Sequence, residues 1–215
     1  MAVNRKLAEL RTDYETTGLS RASLAPDPVS QFDRWMNEAI EAGVPQANAM
    51  VLSTSDSGGR ASSRAVLLKD YGEQGFLFFT NLESRKGREL LSNPWAALCF
   101  VWIDLHRQVR LEGPIEFASD RESDEYFESR PRQSQLASAA SPQSRVVADQ
   151  RSLRILVEKL SAATGDGPVS RPGHWAGVRV RPDTVEFWQG RPHRLHDRLV
   201  YTRQGDGWTI ERLAP

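Results

Sequence analysis

Cysteine is almost absent from this sequence. Cys99 is the only one in 215 residues, so no intramolecular disulfide framework can staple the fold. It sits in the apolar run Trp95–Ile103 and reads as a small buried hydrophobe rather than a nucleophile. Long apolar runs are missing too: no stretch approaches the roughly 20 residues that a membrane span needs. The opening residues, MAVNRKLAELRTDYETTG, carry charge without the apolar centre of a secretory signal. Net charge is also lacking, since 28 basic residues cancel 28 acidic ones. No global field therefore favours nucleic acid or a membrane surface, and any anion site must be a local cluster. There is no GxGxxG and no P-loop, which leaves a Rossmann or P-loop reading without support. A reducing, cytoplasmic setting is the resulting expectation.

What is present describes an ordinary globular chain, 39% hydrophobic and 26% charged, long enough for one large domain or two small ones. A short helical patch is expected around Lys6–Tyr14, within a polar segment 1–25 that could act as a flap. A firmer helix begins at the N-cap Asp27 with Pro28 behind it. Phe32, Trp35, Met36 and Ile40 follow at helical spacing, and Gly43 supplies the stop. From Ala49 the period changes to that of strands. Ala49–Ser55 and Ala61–Lys69 read as a hairpin, followed by a strand at Phe76–Thr80 and a short helix at Ser84–Leu91. Trp95–Ile103 and Gln108–Ala118 read as longer strands, and Asp120–Ser129 and Arg151–Ala163 as helices. Arg130–Gln150 yields no assignment. Strands at Trp175–Arg181, Thr184–Gln189, Leu199–Arg203 and Trp208–Arg212 end the chain. Without βαβ alternation, this order predicts a mainly β protein, an antiparallel barrel with peripheral helices, spanning residues 26–215.

Four clusters could carry chemistry. Ser84-Arg85-Lys86 opens a helix directly after a strand, where free N–H groups and the dipole favour an anion such as phosphate; a solvated turn is the competing reading. Arg64 and Lys69 bracket the run Arg64-Ala65-Val66-Leu67-Leu68-Lys69. Strand parity puts them on opposite faces, so one flat strand cannot aim both at one ligand group. Either they touch different parts of an extended ligand, or a bulge changes the parity. Tyr126 and Arg130, four apart on one helix face with Ser134 nearby, form a second candidate phosphate clamp; a helix C-terminus with favourable arginines is the competing reading. Trp188 is followed by Arg191, His193, Arg194, His196 and Arg198, which suits a planar anionic ligand better than a metal.

In this order the clusters resemble the pyridoxamine 5′-phosphate oxidase family. The strings that carry the resemblance are RAVLLK (64–69), FTNLESRKG (79–87), RQVRLEG (107–113), YFESRPRQSQ (126–135), FWQGRPHRLHDR (187–198) and ERLAP (211–215). The resemblance runs from about Leu10 to Pro215 and implies an FMN-binding split β-barrel in a homodimer, with FMN held at the interface by both chains. It assigns FMN contacts to Arg64, Ala65, Val66, Leu67, Leu68, Lys69, Phe79, Thr80, Arg85 and Lys86, with Gln108, Gln143, Ser144, Trp188 and Arg198 completing the set. Contacts to the B6 substrate fall on Lys69, Tyr126, Arg130, Ser134, Arg194 and His196, and Arg11 and Tyr14 match a segment that folds over the site. Arg194 and His196 are the candidate catalytic residues, and no metal is implied. Phe79 departs from the tyrosine common in relatives, and Leu136–Ala140 departs from a glycine-bearing loop.

The reaction implied is FMN-dependent oxidation of pyridoxamine or pyridoxine 5′-phosphate to pyridoxal 5′-phosphate, with dioxygen as acceptor. Two other readings stay open on the sequence: a split-barrel flavin reductase, and a non-catalytic carrier of FMN or pyridoxal phosphate.

Overall fold

The computed structural model describes Tyr14 and residues 16–215. The helical patch expected before Tyr14, and Arg11 with it, lie outside the described residues. Described residues fall into two compact units: one holds the chain up to Ala47 with Cys99–Leu111 and Asp183–Pro215, the other Asn48–Leu98 with Glu112–Pro182.

In the first unit, helix α1 (Pro28–Glu41) starts where expected, with the Asp27 carboxylate accepting from the Ser30 N–H at 2.9 Å. Its apolar stripe buries Phe32, Trp35, Met36 and Ala39. Phe32 meets Phe100 edge-on at 4.9 Å, and Trp35 meets Phe187 at 5.2 Å. Each such buried ring contributes about 1.5–3 kcal/mol of transfer free energy. The strands run in the order β10 (Gly207–Arg212), β9 (Asp197–Gln204), β8 (Thr184–Gln189), β6 (Arg107–Phe117), β5 (Trp95–Trp102). β5 and β6 each contribute residues to both units.

The second unit carries β1 (Ala49–Ser55) and β2 (Ala61–Leu67), an antiparallel hairpin whose register pairs Leu52 with Arg64. β2 ends the strand order β5-β1-β2, so one of its edges has no strand partner among the described residues. A second path joins β3 (Asp70–Gly72), β4 (Gly75–Asn81), β7 (Trp175–Val180) and β6. β4 is buried along almost its whole length, as its run Phe76-Leu77-Phe78-Phe79 anticipates. Helix α2 (Arg85–Ser92) follows β4. Helices α3 (Asp120–Ser129), α4 (Arg132–Ala140) and α5 (Gln150–Thr164) come later in the chain. A small core of Phe127, Leu136, Val169 and Trp175 ties these helices to β7, with Phe79 and Tyr126 packed on it.

Two expectations are corrected. Lys69 is not part of the hairpin strand: β2 ends at Leu67, and the chain turns so that the Lys69 N–H donates to Leu77 O at 2.8 Å. The unassigned stretch after Arg130 contains α4, whose Ala- and Ser-rich sequence leaves almost no apolar period to read.

Candidate active site

A cavity of about 890 Å³ in the second unit gathers most of the expected residues. Arg64, Ala65, Val66 and Leu67 line it from β2, Phe79 and Thr80 from β4, and Arg85 and Lys86 from α2. Lys69, Tyr126, Arg130, Ser134, Gln143 and Ser144 complete the expected set on its wall. Leu68 is the exception: it is buried, and its N–H is taken by Asn48 O at 2.9 Å. The parity problem raised by Arg64 and Lys69 resolves without a bulge. Lys69 lies beyond the strand end, and both residues reach the same cavity.

The first group of cations is organised around a residue that the sequence did not single out. Glu89, buried on α2, accepts from Thr54 Oγ1 at 2.5 Å, Ser62 Oγ at 2.6 Å and the Arg64 guanidinium at 3.3 Å through Oε2. Its Oε1 accepts from Arg85 Nε at 2.8 Å. Thr54 also accepts from Arg64 at 2.6 Å, and Ser62 accepts from the same guanidinium. Each hydroxyl therefore donates a hydrogen bond to the carboxylate and accepts one from the arginine. Burial pushes the Glu89 carboxyl up, but the hydrogen bonds from Ser62, Thr54 and Arg85 outweigh it and hold the pKa at about 2. Burial, with Arg64 nearby, brings the Lys86 ammonium down to about 8. Lys86 donates to Gln143 Oε1 at 3.2 Å and to Ser84 Oγ at 3.3 Å.

Local sequence explains why α2 begins where it does. Ser84 is its N-cap, accepting from the Gly87 N–H at 3.2 Å and donating to Asn81 O at 2.6 Å. Gly87 is required by closeness: a Cβ there would lie 2.4 Å from Leu82 Cα and Leu82 O.

The second group surrounds an aromatic stack. Tyr126 lies 4.1 Å from Phe79 at 13°, and Phe79 lies 5.1 Å from Trp175 at 10°. The departure from tyrosine at Phe79 thus leaves a ring that is fully used in stacking. Lys69 Nζ is 5.9 Å from the Tyr126 ring, and the Arg130 guanidinium 5.1 Å from that of Trp175. Arg130 also donates to Ser138 Oγ at 2.9 Å. Trp175 and Ser138, both on the cavity wall, are further residues that the sequence left unmarked.

Gln108, Trp188, Arg194, His196 and Arg198 belong to the first unit, as does Tyr14. The Arg191 N–H donates to His196 Nδ1 at 3.1 Å, so a neutral ring carries its proton on Nε2. Burial, then the charge of Arg194, lowers the His196 pKa and favours that neutral form. His193 and Arg194 both adopt positive φ, at 56° and 62°, a strained conformation for consecutive side-chain-bearing residues. Trp188 lies 4.7 Å from His196, and Tyr14 packs 5.6 Å from His196 and 4.6 Å from His106. Gly190 makes room for that packing, because a Cβ there would stand 2.9 Å from Tyr14 Cγ. Arg198 is committed elsewhere: it donates to both oxygens of buried Glu186 at 2.8 and 3.1 Å and to Ala214 O at 2.9 Å.

Comparison with known proteins places this arrangement. Residues 36–163 match the family described as pyridoxamine 5′-phosphate oxidase, and 175–215 match the pyridoxine 5′-phosphate oxidase C-terminal dimerisation region. A pyridoxine/pyridoxamine 5′-phosphate oxidase of Burkholderia multivorans is 54% identical over 212 residues, covering 97% of this chain and 99% of that one. The enzyme of the same name from Herminiimonas arsenicoxydans is 52% identical, again over 97% and 99% of the two chains. Among solved structures, PhzG from Burkholderia lata, in complex with tetrahydrophenazine-1-carboxylic acid, superposes with a TM-score of 0.84 at 32% identity, covering 90% of this chain and 95% of that chain. A related FMN-binding protein from Nostoc punctiforme, 17% identical over 90% and 99% of the chains with a TM-score of 0.70, shares the fold. With its mainly antiparallel split-barrel fold, and with matches running through nearly all of its sequence, this chain belongs to the pyridoxamine 5′-phosphate oxidase family.

Proposed function

We propose that the protein oxidises pyridoxamine 5′-phosphate and pyridoxine 5′-phosphate to pyridoxal 5′-phosphate, using FMN and dioxygen, as a homodimer. One observation carries the reading: a single cavity holds two separately organised cationic groups, Arg64/Arg85/Lys86 and Lys69/Tyr126/Arg130/Ser134. Two phosphate-bearing ligands suit two such groups better than one ligand does.

The residues on the first wall suit FMN. Arg85 and Lys86 at a capped helix start, with Arg64 beside them, would hold its phosphate. The open edge of β2 offers backbone groups to a planar polar ring, and buried Thr80 Oγ1 has no hydrogen-bond partner among the described residues. Bound there, FMN would supply the two-electron acceptor for oxidation at C4′, with dioxygen as the terminal acceptor and hydrogen peroxide as its product.

The chain supplies binding and orientation. Lys69, Tyr126, Arg130 and Ser134 hold the substrate phosphate, and binding energy at that remote group aligns C4′. Arg194 stabilises charge developing at the reacting end. His196, with Nδ1 occupied by the Arg191 N–H, presents Nε2–H and acts as a hydrogen-bond donor rather than a base. Pyridoxine phosphate leaves as the aldehyde; pyridoxamine phosphate leaves as an imine that water hydrolyses to the aldehyde and ammonia.

Adding pyridoxine 5′-phosphate to the purified protein in air should yield hydrogen peroxide and aldehyde together. Bleaching only with a nicotinamide donor would make it a reductase, and no change at all a carrier. Arg194→Leu should lower kcat by about 100-fold, the cost of one transition-state donor, while FMN stays bound. Equal loss of both would remove Arg194 from the reaction.

A further inference from the structure

Glu89 poses a physical problem. A buried carboxylate beside a phosphate site repels the anion the site is built to hold, yet this one lies within hydrogen-bond reach of two of the cations that line the cavity. We propose that Glu89 is a positioning residue that locks the guanidinium groups of Arg64 and Arg85 in the arrangement that receives the FMN phosphate. The inference rests on the assignment of that phosphate to Arg64, Arg85 and Lys86.

The geometry gives three reasons. Arg64 comes from strand β2 and Arg85 from helix α2, and one carboxylate bonds both, Oε2 facing Arg64 and Oε1 facing Arg85. Two guanidinium groups sharing a pocket repel each other, and a shared counter-charge removes the incentive to swing into solvent. The second reason is saturation. Thr54 and Ser62 donate to Oε2 and accept from Arg64, so each hydroxyl of the relay both donates and accepts. The third is economy of donors: among the described residues, Arg85 spends only Nε on Glu89, which leaves its two terminal nitrogens for a ligand. Holding one donor and freeing two is what orienting a planar fork requires. The same hydrogen bonds hold the carboxyl well below the ordinary carboxylate range, so it is ionised at neutral pH.

Charge and position predict opposite signs for Glu89→Gln. By charge alone, losing a negative group beside a phosphate tightens FMN; by position, it weakens FMN. The test uses protein stripped of flavin and titrated with FMN and with riboflavin, which lacks the phosphate, following quenching of flavin fluorescence. Glu89→Gln should weaken FMN by about tenfold or more, as loss of a charge-assisted hydrogen bond does, and leave riboflavin within about twofold. FMN binding that is unchanged or tighter overturns the proposal, and so does equal weakening of both flavins, which marks general collapse of the site. Thr54→Val keeps the shape of a buried residue off the cavity wall and removes one relay hydroxyl. It should weaken FMN a few-fold and spare riboflavin; if Glu89→Gln does not fold and Thr54→Val binds FMN normally, the proposal fails. Wild-type protein that binds riboflavin as tightly as FMN would instead sink the phosphate assignment beneath it.

Discussion

Lys86 sits half-buried between Arg64 and Gln143, and its pKa of about 8 makes its charge conditional near working pH. On the proposed assignment a phosphate bound beside it would favour the ammonium, so the pKa would rise on binding and proton uptake would accompany FMN. Affinity should therefore fall as pH climbs above about 8, by up to about tenfold per unit until the bound-state pKa is reached. Titrating FMN between pH 7 and 9.5 checks this; Lys86→Met should flatten the profile in that window, and a wild-type profile already flat would remove Lys86 from the phosphate. Glu89 works in the opposite direction on stability. Its folded pKa of about 2 lies below the ordinary 4.5, so its contribution is complete above 4.5 and lost as pH falls toward 2. That contribution is on the order of 3 kcal/mol. Thermal melts at pH 5 and pH 3 should show a larger drop for wild type than for Glu89→Gln. The cations of this site were marked in the sequence as candidate anion contacts, and it was the family resemblance that set them above the competing reading of solvated strand ends and turns. Glu89 was not, since a glutamate four residues after an arginine reads as a surface pair; only the hairpin laid against α2 buries it.

Helices show the same division between local and long-range signals. Ser84, Asp27, Ser119 and Asp149 each cap a helix through the N–H three residues on, and the Ser84, Asp27 and Ser119 starts were readable from local chemistry. α4 has no such cap: Pro131 precedes it, and its anchor is tertiary. Gln135 Nε2 donates toward Phe127 O, Glu128 O and Arg130 O at 3.1, 2.9 and 3.0 Å, which stitches α4 onto the end of α3. No periodicity in RQSQLASAA announces that bond. The start of α2 is fixed equally tightly by Gly87 against the Leu82 backbone. Gly87→Ala has nowhere to put its methyl group, because the atoms it meets are main chain. It should cost about 1–3 kcal/mol, lowering Tm by several degrees, and release FMN by displacing Arg85 and Lys86 together. A melting curve and the flavin-to-protein absorbance ratio after gel filtration read both effects. An alanine variant that melts normally and stays fully yellow would mean that the helix start can shift without disturbing the site.

At the scale of the whole molecule, the expected flavin set is divided. Twelve of its residues lie in the second unit, where all but Leu68 line the cavity, while Gln108, Trp188 and Arg198 lie in the first. A homodimer with FMN held by both chains accounts for a set spread so widely along the sequence, and residues 175–215 match a dimerisation region. Apolar side chains left in solvent point the same way. Val51 and Trp95 in the second unit are 39% and 44% exposed, and Val101 on β5 is 49% exposed, each at an outward position of a strand whose alternate residues are buried. A stable interface needs on the order of 1,000 Å² or more, and strands with large apolar residues on their outer face are suited to supply it. Val101→Asp puts a charge at this exposed position. Sedimentation at micromolar protein should find wild type dimeric and the variant monomeric. If FMN is shared between chains, the variant should also lose its yellow colour, and excess FMN should shift it back toward dimer by mass action. A monomer that keeps its flavin would place the whole cofactor site within one chain.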